Sequence, residues 1–321
     1  MSDRNKNTFI LALLLTVEFF FACNATPKIN KLIAADHYPM LIDVNVDSCK
    51  IIKSSILIDT ASIEYLPLKS DSNNIIGRVD KIRFTSNKII IGDFTVSNCL
   101  FIYDTGGTFI KSFNKKNLGI STYTNFNDFD YDVNENQLFM LVDGKKLLSV
   151  DINTGQINKV YNLPFYSFKF TKVGADQFLF YTGFRDNQNY FKSNRNYNLI
   201  LSSRKGDAFS FGLPYNKEII KANDILFCDG FSSKSSSRTF VSTPGNDTVF
   251  EFQNHQLHPY AYFNFGSKSL PSNFSQVLFE EPKIKLYQKS AKLESSFFYQ
   301  NDSIVVYPSV ELHIACDLAK G

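Results

Sequence analysis

The side chains in this chain that could do chemistry are few and scattered. There are four histidines, His37, His255, His258 and His313. His255 and His258 are three apart, but no Cys or carboxylate supports them at zinc-like spacing. They are expected to be solvated loop residues, and no metal is assigned. Asp128, Asp130, Asp132, Asn134 and Asn136 alternate like the start of a calcium loop. Counted from Asp130, the sixth place should be Gly and the twelfth Glu; here they are Glu135 and Leu141, so the EF-hand pattern fails. A strand with one polar face running into a turn accounts for the series. No Gly-x-Ser-x-Gly elbow, Ser/His/Asp set or Gly-rich phosphate loop is present, so no catalytic residue and no cofactor is assigned. Asp93, Asp143 and Asp229 recur just after the second strand of three repeats, where Asp accepts backbone N–H bonds at turns. The remaining candidate is the segment from Phe184 to Tyr197. It holds Arg185, Tyr190, Phe191, Arg195 and Tyr197, and Arg with aromatic rings can contact sugars, peptides or bases.

These residues sit in a chain of ordinary globular composition, 44% hydrophobic and 20% charged over 321 residues. Phe and Tyr number 32 and 16, which favours strands, since flat rings pack well on a pleated surface. The 34 basic and 31 acidic residues leave a formal charge of +3, with no basic run of the kind a nucleic-acid partner needs.

The N-terminus reads as a targeting segment. Arg4 and Lys6 precede an apolar run from Ile10 to Ala22, broken once by Glu18. Thirteen residues with an internal acid are too few for a span, which takes about 20, but they match a signal-peptide core. The run ends Phe20-Phe21-Ala22-Cys23, which resembles a bacterial lipobox in which Cys23 is lipidated and becomes the new N-terminus. Residues 1–22 are therefore expected to be a lipoprotein signal peptide and residues 23–50 a tether, with the acyl chains making the membrane a partner. Of the other cysteines, Cys99 and Cys228 lie in apolar stretches as core thiols. The spacing of Cys49, Cys99, Cys228 and Cys316 shows no pairing.

The remainder repeats. Leu100–Ile110, Leu147–Ile157 and Leu199–Phe209 each read as strand, tight polar turn and strand, and Thr248–Leu257 is a looser fourth copy. The turn residues Gly107, Gly155, Gly206 and Asn254 are 48, 51 and 48 residues apart. Gly and Asn suit such turns because they tolerate positive φ. Another hairpin precedes each copy, so the unit is four short strands in roughly 50 residues, the size of a propeller blade. The expectation is an all-β chain, a β-propeller of four-stranded antiparallel blades over residues 51–321. The blades fall at roughly 76–113, 126–163, 165–215 and 222–265, with a partial blade from 294. Ile63–Leu68 is the candidate closing strand.

Ser62–Leu68, Ile75–Ile82, and Ile91-Gly92-Asp93 with Asn98, Phe101–Asp104 and Gly107 resemble the 6-bladed β-propeller lipoproteins of bacterial envelopes, which are related to NHL repeats. The resemblance covers roughly Ser55 to Phe265. It implies a six-bladed ring, so the end at Gly321 reads as a C-terminal truncation. The fold itself is neutral on function; Cys23, the blade repeats and the absence of a catalytic set make the expected function that of a lipid-anchored envelope protein that binds or scaffolds a glycan, peptide or protein. The alternatives are a propeller lyase or hydrolase using inward carboxylates such as Asp128 or Asp130, and a truncated, non-functional member of the family.

Overall fold

The structure, a computed structural model, describes residues 30–34, 38–44, 65–69, 74–118, 123–192, 196–215, 232–235, 238–242, 246–266, 299–301, 304–308 and 313–317. Cys23, Cys49, Arg195, Cys228 and Asp229 lie outside them. Among the described residues the chain is all-β with one short helix. Its strands open with β1 (Asn30–Lys31) and β2 (Met40–Asp43). Four blades follow. The first comprises β3 (Lys81–Phe84), β4 (Lys88–Asp93), β5 (Cys99–Asp104) and β6 (Phe109–Phe113). In the second are β7 (Phe126–Asp132), β8 (Gln137–Val142), β9 (Lys146–Asp151) and β10 (Ile157–Asn162). Blade 3 is built from β11 (Lys169–Gly174), β12 (Gln177–Tyr181), β13 (Asn196–Ser202) and β14 (Ala208–Tyr215). Blade 4 has β15 (Ser232–Ser235), β16 (Arg238–Val241), β17 (Thr248–Gln253) and β18 (Gln256–Asn264). A further sheet holds β19 (Tyr299–Asn301), β20 (Ile304–Pro308) and β21 (His313–Asp317). Within each blade neighbouring strands pair antiparallel in chain order.

Burial explains the sequence pattern. Leu138-Phe139-Met140-Leu141-Val142 of β8 is a continuous buried run, because a blade's middle strands are covered on both faces by neighbouring blades. Ile90, Leu100 and Ile102 of blade 1 pack with Phe129, Leu138, Met140 and Leu148 of blade 2. Phe139, Leu141 and Leu147 of blade 2 pack with Phe170, Phe178, Phe180 and Ile200 of blade 3. Leu179, Tyr181 and Leu201 of blade 3 meet Val241, Phe250 and Leu257 of blade 4 around Leu32.

The outer hairpins share one device in three blades. The Asp104 Oδ1 accepts the N–H groups of Gly106 (2.9 Å) and Thr108 (2.8 Å), and Gly107 turns the chain at φ +78°. Asp151 accepts from Asn153 and Thr154, both at 2.8 Å, before Gly155 at +79°. In blade 3 the Ser203 hydroxyl accepts from Lys205 and Asp207, and Gly206 takes +87°. A bulge follows each turn, with Ile110, Asn158 and Phe209 as the extra residues opposite Ile102/Tyr103, Ser149/Val150 and Leu201/Ser202.

Two segments differ from the sequence reading. Part of the expected tether is an integral strap. The Leu32 N–H donates to the Phe211 carbonyl (3.0 Å), while its own carbonyl accepts from Leu257 N–H (2.8 Å). Then β2 adds to β18 as a parallel fifth strand, pairing Met40 with Ala261 and Asp43 with Asn264. Leu32, Ala34 and Val44 are buried apolar residues, and that burial draws the segment in. The expected closing strand is not a strand over 65–69, where the chain passes across the first outer hairpin with Lys69 N–H on the Gly107 carbonyl (2.8 Å). Pro67 lacks the N–H that a ladder would need there.

Candidate binding site along the first strands of the blades

The first strands of blades 1, 2 and 3 lie side by side, and a ladder of charge joins them. Period-2 alternation puts Asp128, Asp130 and Asp132 on one face of β7. Lys81 Nζ stands 2.7 Å from Asp128 Oδ1, and Arg83 Nε 3.5 Å from Asp130 Oδ1. On the other side, the second oxygens of these carboxylates accept main-chain bonds from β11. Asp128 Oδ2 takes the Phe170 N–H (2.9 Å), and Asp130 Oδ2 takes the Lys172 N–H (2.8 Å) and the Thr171 hydroxyl (3.2 Å). The Lys172 ammonium then bridges Asp132 and Glu135, the latter at 3.0 Å.

Asp128 and Asp130 are each 1% exposed. A buried carboxylate survives only when paired and hydrogen-bonded, and both conditions are met. Burial pulls the Lys81 ammonium down to about 8, against the opposing pull of Asp128. These two carboxylates thus act as a mortise between strands, with every oxygen already engaged by a neighbour.

Lys169, at the start of β11, differs from the other cations. It is 6% exposed, and its Nζ lies over the rings of Phe94 (4.9 Å) and Phe168 (5.3 Å). Its stem is thus covered while the ammonium rests against ring faces, contacts worth roughly 0.5–2 kcal/mol.

At the far ends of β7 and β11, a cavity of about 500 Å³ opens between blades 2, 3 and 4. Tyr131, Val133 and Val173 give it apolar wall; Glu135, Lys172 and Arg238 give it charge. Arg238 is held for this position. Its guanidinium makes a two-pronged pair with Glu251 (2.6 and 2.7 Å) and lies against Phe240 (4.8 Å) and Tyr260 (4.9 Å). The same pair pushes Arg238 further up and holds Glu251 below its usual range. A second cavity of about 360 Å³ lies between the strap and blade 4, with Tyr38, Met40, Glu251, His258 and Tyr260 on its walls.

The segment singled out in the sequence turns inward. Tyr190 and Phe191 lie on the short helix α1 (Gln188–Phe191). Phe191 meets Tyr197 at 5.2 Å and Phe211 at 5.0 Å, Tyr197 stacks on Phe211 at 5.2 Å, and Tyr190 meets Phe165 at 5.2 Å. The Tyr190 hydroxyl donates to the Gly206 carbonyl (3.3 Å), and burial raises its pKa. Arg185 lies over the Tyr166 ring (5.3 Å), and its carbonyl accepts the Tyr215 hydroxyl. The four described residues thus join blade 3's own aromatic packing. The cavity at the ends of β7 and β11 was missed, because it draws on three segments, at 131–135, 172–175 and 238–239, far apart in sequence. The alternating acids from Asp128 onward were its one visible trace.

Asp93 and Asp143 hold turns. Asp93 accepts the N–H groups of Gly77, Arg78, Val96 and Ser97 at 2.8 to 3.1 Å, and despite its burial these bonds hold its carboxyl below the usual range. Asp143 accepts from Thr124 (2.7 Å) and Asn125 (3.0 Å). His255 sits in the fourth outer turn, with Nδ1 2.8 Å from Gln177 Oε1. Among the described residues no helix is long and apolar enough to cross a membrane.

A family described as a domain of unknown function (DUF4934) matches residues 41–313, and the chain belongs to that family. No curated protein matches its sequence. Among solved structures, a Bacteroides fragilis protein described as exported superposes with a TM-score of 0.64 at 15% identity, covering 87% of this chain and 76% of its own. BamB from Moraxella catarrhalis gives a TM-score of 0.41 at 11% identity, over 75% of this chain and 58% of that one. The first likeness is one of fold.

Proposed function

We propose that this chain is a binding or scaffold propeller of the bacterial envelope, tethered by a lipid on Cys23, and that it holds a glycan, peptide or protein segment in the cavity between blades 2, 3 and 4. The supporting observation is a division of labour along β7. Its middle acids, Asp128 and Asp130, are consumed in joining blades, which leaves them poorly placed as general acid and base. Its end opens into a cavity where Tyr131 and Arg238 offer the aromatic and guanidinium contacts that binding surfaces favour. The targeting segment and the exported neighbour of the same fold support an envelope location.

The test is titration of the full-length chain with envelope oligosaccharides and peptides by calorimetry, beside the Tyr131→Ala/Arg238→Ala double variant. Saturable binding that weakens at least tenfold in the variant, with both proteins melting cooperatively, supports the reading. Turnover of a bound oligosaccharide or peptide, or equal binding by the variant, overturns it. Release of Cys23→Ser from the membrane fraction tests the tether.

A further inference from the structure

The cavity between blades 2, 3 and 4 is lined by charge, and each of those charges has a partner. Two acids, Asp132 and Glu135, and two bases, Lys172 and Arg238, stand on its wall. Lys172 holds Asp132 and reaches Glu135 at 3.0 Å, while Arg238 is taken by Glu251 at 2.6 Å. Arg204 lies 3.8 Å from Glu135 and is itself paired with Asp176. Every base on the wall therefore has an acid, and every acid a base.

Pairing has not closed these side chains off. The Glu135 side chain is 35% exposed and that of Arg238 40%. Among the described residues Glu135 engages cations through Oε1 alone, so its second oxygen keeps lone pairs to offer. The polar heads are also fixed. Asp132 Oδ1 accepts the N–H groups of Asn134 (2.8 Å) and Glu135 (3.2 Å), which sets the turn. Phe240 and Tyr260 lie against Arg238 at 4.8 and 4.9 Å. Tyr131 is held by its hydroxyl, which donates to Asn136 Oδ1 at 2.6 Å. The wall thus presents rigid acceptors and donors together, with Val133 and Val173 as its apolar part.

We propose that the ligand of this cavity is a short oligosaccharide without net charge. The inference rests on the cavity being the binding site. A hydroxyl both donates and accepts, so neighbouring hydroxyls of one sugar meet a carboxylate and a guanidinium at once. The C–H face of the ring suits Tyr131 and Val133. A uronic acid or an amino sugar would bring its charge to a wall already neutral, and would lose hydration on entering. A peptide fits less well. Extended peptides gain most of their main-chain bonds by joining an open sheet edge. Along β11 that edge is occupied, since Asp128 and Asp130 take the N–H groups of Phe170 and Lys172. The volume of about 500 Å³ lies in the ordinary range for small-ligand sites.

Calorimetry on the full-length chain tests this with probes of equal length. Chitotriose and maltotriose are neutral sugars, the chitosan trimer is cationic, trigalacturonate is anionic, and N-acetyl-trialanine amide is a neutral peptide. One of the neutral sugars binds at least tenfold tighter than either charged trimer. Its affinity changes less than twofold between about 50 and about 500 mM NaCl, since no new ion pair forms. Glu135→Gln takes one acid from the balanced wall, and its preference for trigalacturonate over the neutral sugar rises at least threefold. A charged trimer that binds as tightly as the neutral sugars overturns the proposal, and so does an unmoved preference in Glu135→Gln. Should Glu135→Gln melt low, the salt series on the parent decides, and a tenfold loss of affinity at high salt overturns a neutral ligand. Binding of N-acetyl-trialanine amide alone also overturns it, while the cavity stands as a peptide site. Neutral-sugar binding that survives Tyr131→Ala/Arg238→Ala, or no saturable binding by any probe, overturns both the ligand and the cavity.

Discussion

Between blades 2 and 3, side chains reach across. Asp128 and Asp130 leave β7 to take the N–H groups of Phe170 and Lys172 on β11, and behind them Phe139 meets Phe178 at 5.0 Å. Between blades 3 and 4 a piece of backbone does the joining. Leu32 donates its N–H to the Phe211 carbonyl and accepts the Leu257 N–H on its own carbonyl, and its side chain is buried between the sheets. The first seam is built from residues about 40 apart, the natural reach of neighbouring repeats. The second needs a strap more than 170 residues from either partner. A repeat array can thus secure one seam by local pattern and another by a distant insertion, and the second kind carries a larger loop-closure cost.

The comparison can be broken most sharply at Asp128. Asp128→Ala strips the partly buried Lys81 of its partner and leaves the buried Phe170 N–H without its acceptor, so a loss of about 3–5 kcal/mol is expected in urea denaturation. A cost near 1 kcal/mol would mean that the apolar cluster alone joins blades 2 and 3. Leu32→Ala should cost about 2–4 kcal/mol, the usual range for a buried leucine. Its distinctive sign is place: amide exchange should rise at Leu257 and Phe211 before it rises in blades 1 and 2. Uniform loss of protection would make the strap part of one cooperative core.

A smaller effect separates blade 1 from the rest. The Asp93 carboxyl is held low by its backbone donors, so it stabilises the fold above its unfolded value of 3.8. That contribution fades as pH falls below 3.8 toward the lowered folded value. In acid melts Asp93→Asn should be weaker than the parent at pH 7, and the gap should close below pH 4. A constant gap would show that the amide's shape, not the charge, is at fault.

The seam built from repeats was legible in sequence, and the strap was not. Gly107, Gly155 and Gly206 mark turns that need positive φ, and the structure places all three there at +78°, +79° and +87°. The Asp128 series read correctly as one polar face of a strand, since alternation is local. Its partners were hidden, because nothing in Lys81, Phe170 or Lys172 announces which strand it will lie beside. Asn30–Val44 looked like a tether because Leu32, Ala34 and Val44 are too sparse to give a period; their burial is decided by blades that follow 170 residues later. The aromatics of the third blade carry two readings for the opposite reason. Tyr190, Phe191 and Tyr197 are of the types that bind ligands, and also of the types that fill a core, and here they are half-buried, with Phe191 and Tyr197 against Phe211.

The least effect belongs to the fourth outer turn, where blade 4 departs from the other three. There Gln253 pairs with Gln256, leaving a two-residue loop in which Asn254 and His255 both have positive φ, +48° and +63°. This is a type I′ hairpin, whose preferred pair is Asn-Gly. Asn254 suits the first place, whereas His255 bears a side chain where glycine would be unstrained. His255→Gly should therefore stabilise by about 0.5–1 kcal/mol, the relieved strain of about 1–2 less glycine's own entropy cost, and less again what is lost with the exposed contact to Gln177. The substitution ought to act on blade 4 alone, raising protection at Gln253 and Gln256 while the seam between blades 2 and 3 is unmoved. A destabilised variant would mean that the imidazole's bond to blade 3 outweighs the strain, and that blade 4 leans on its neighbour even through its outermost turn.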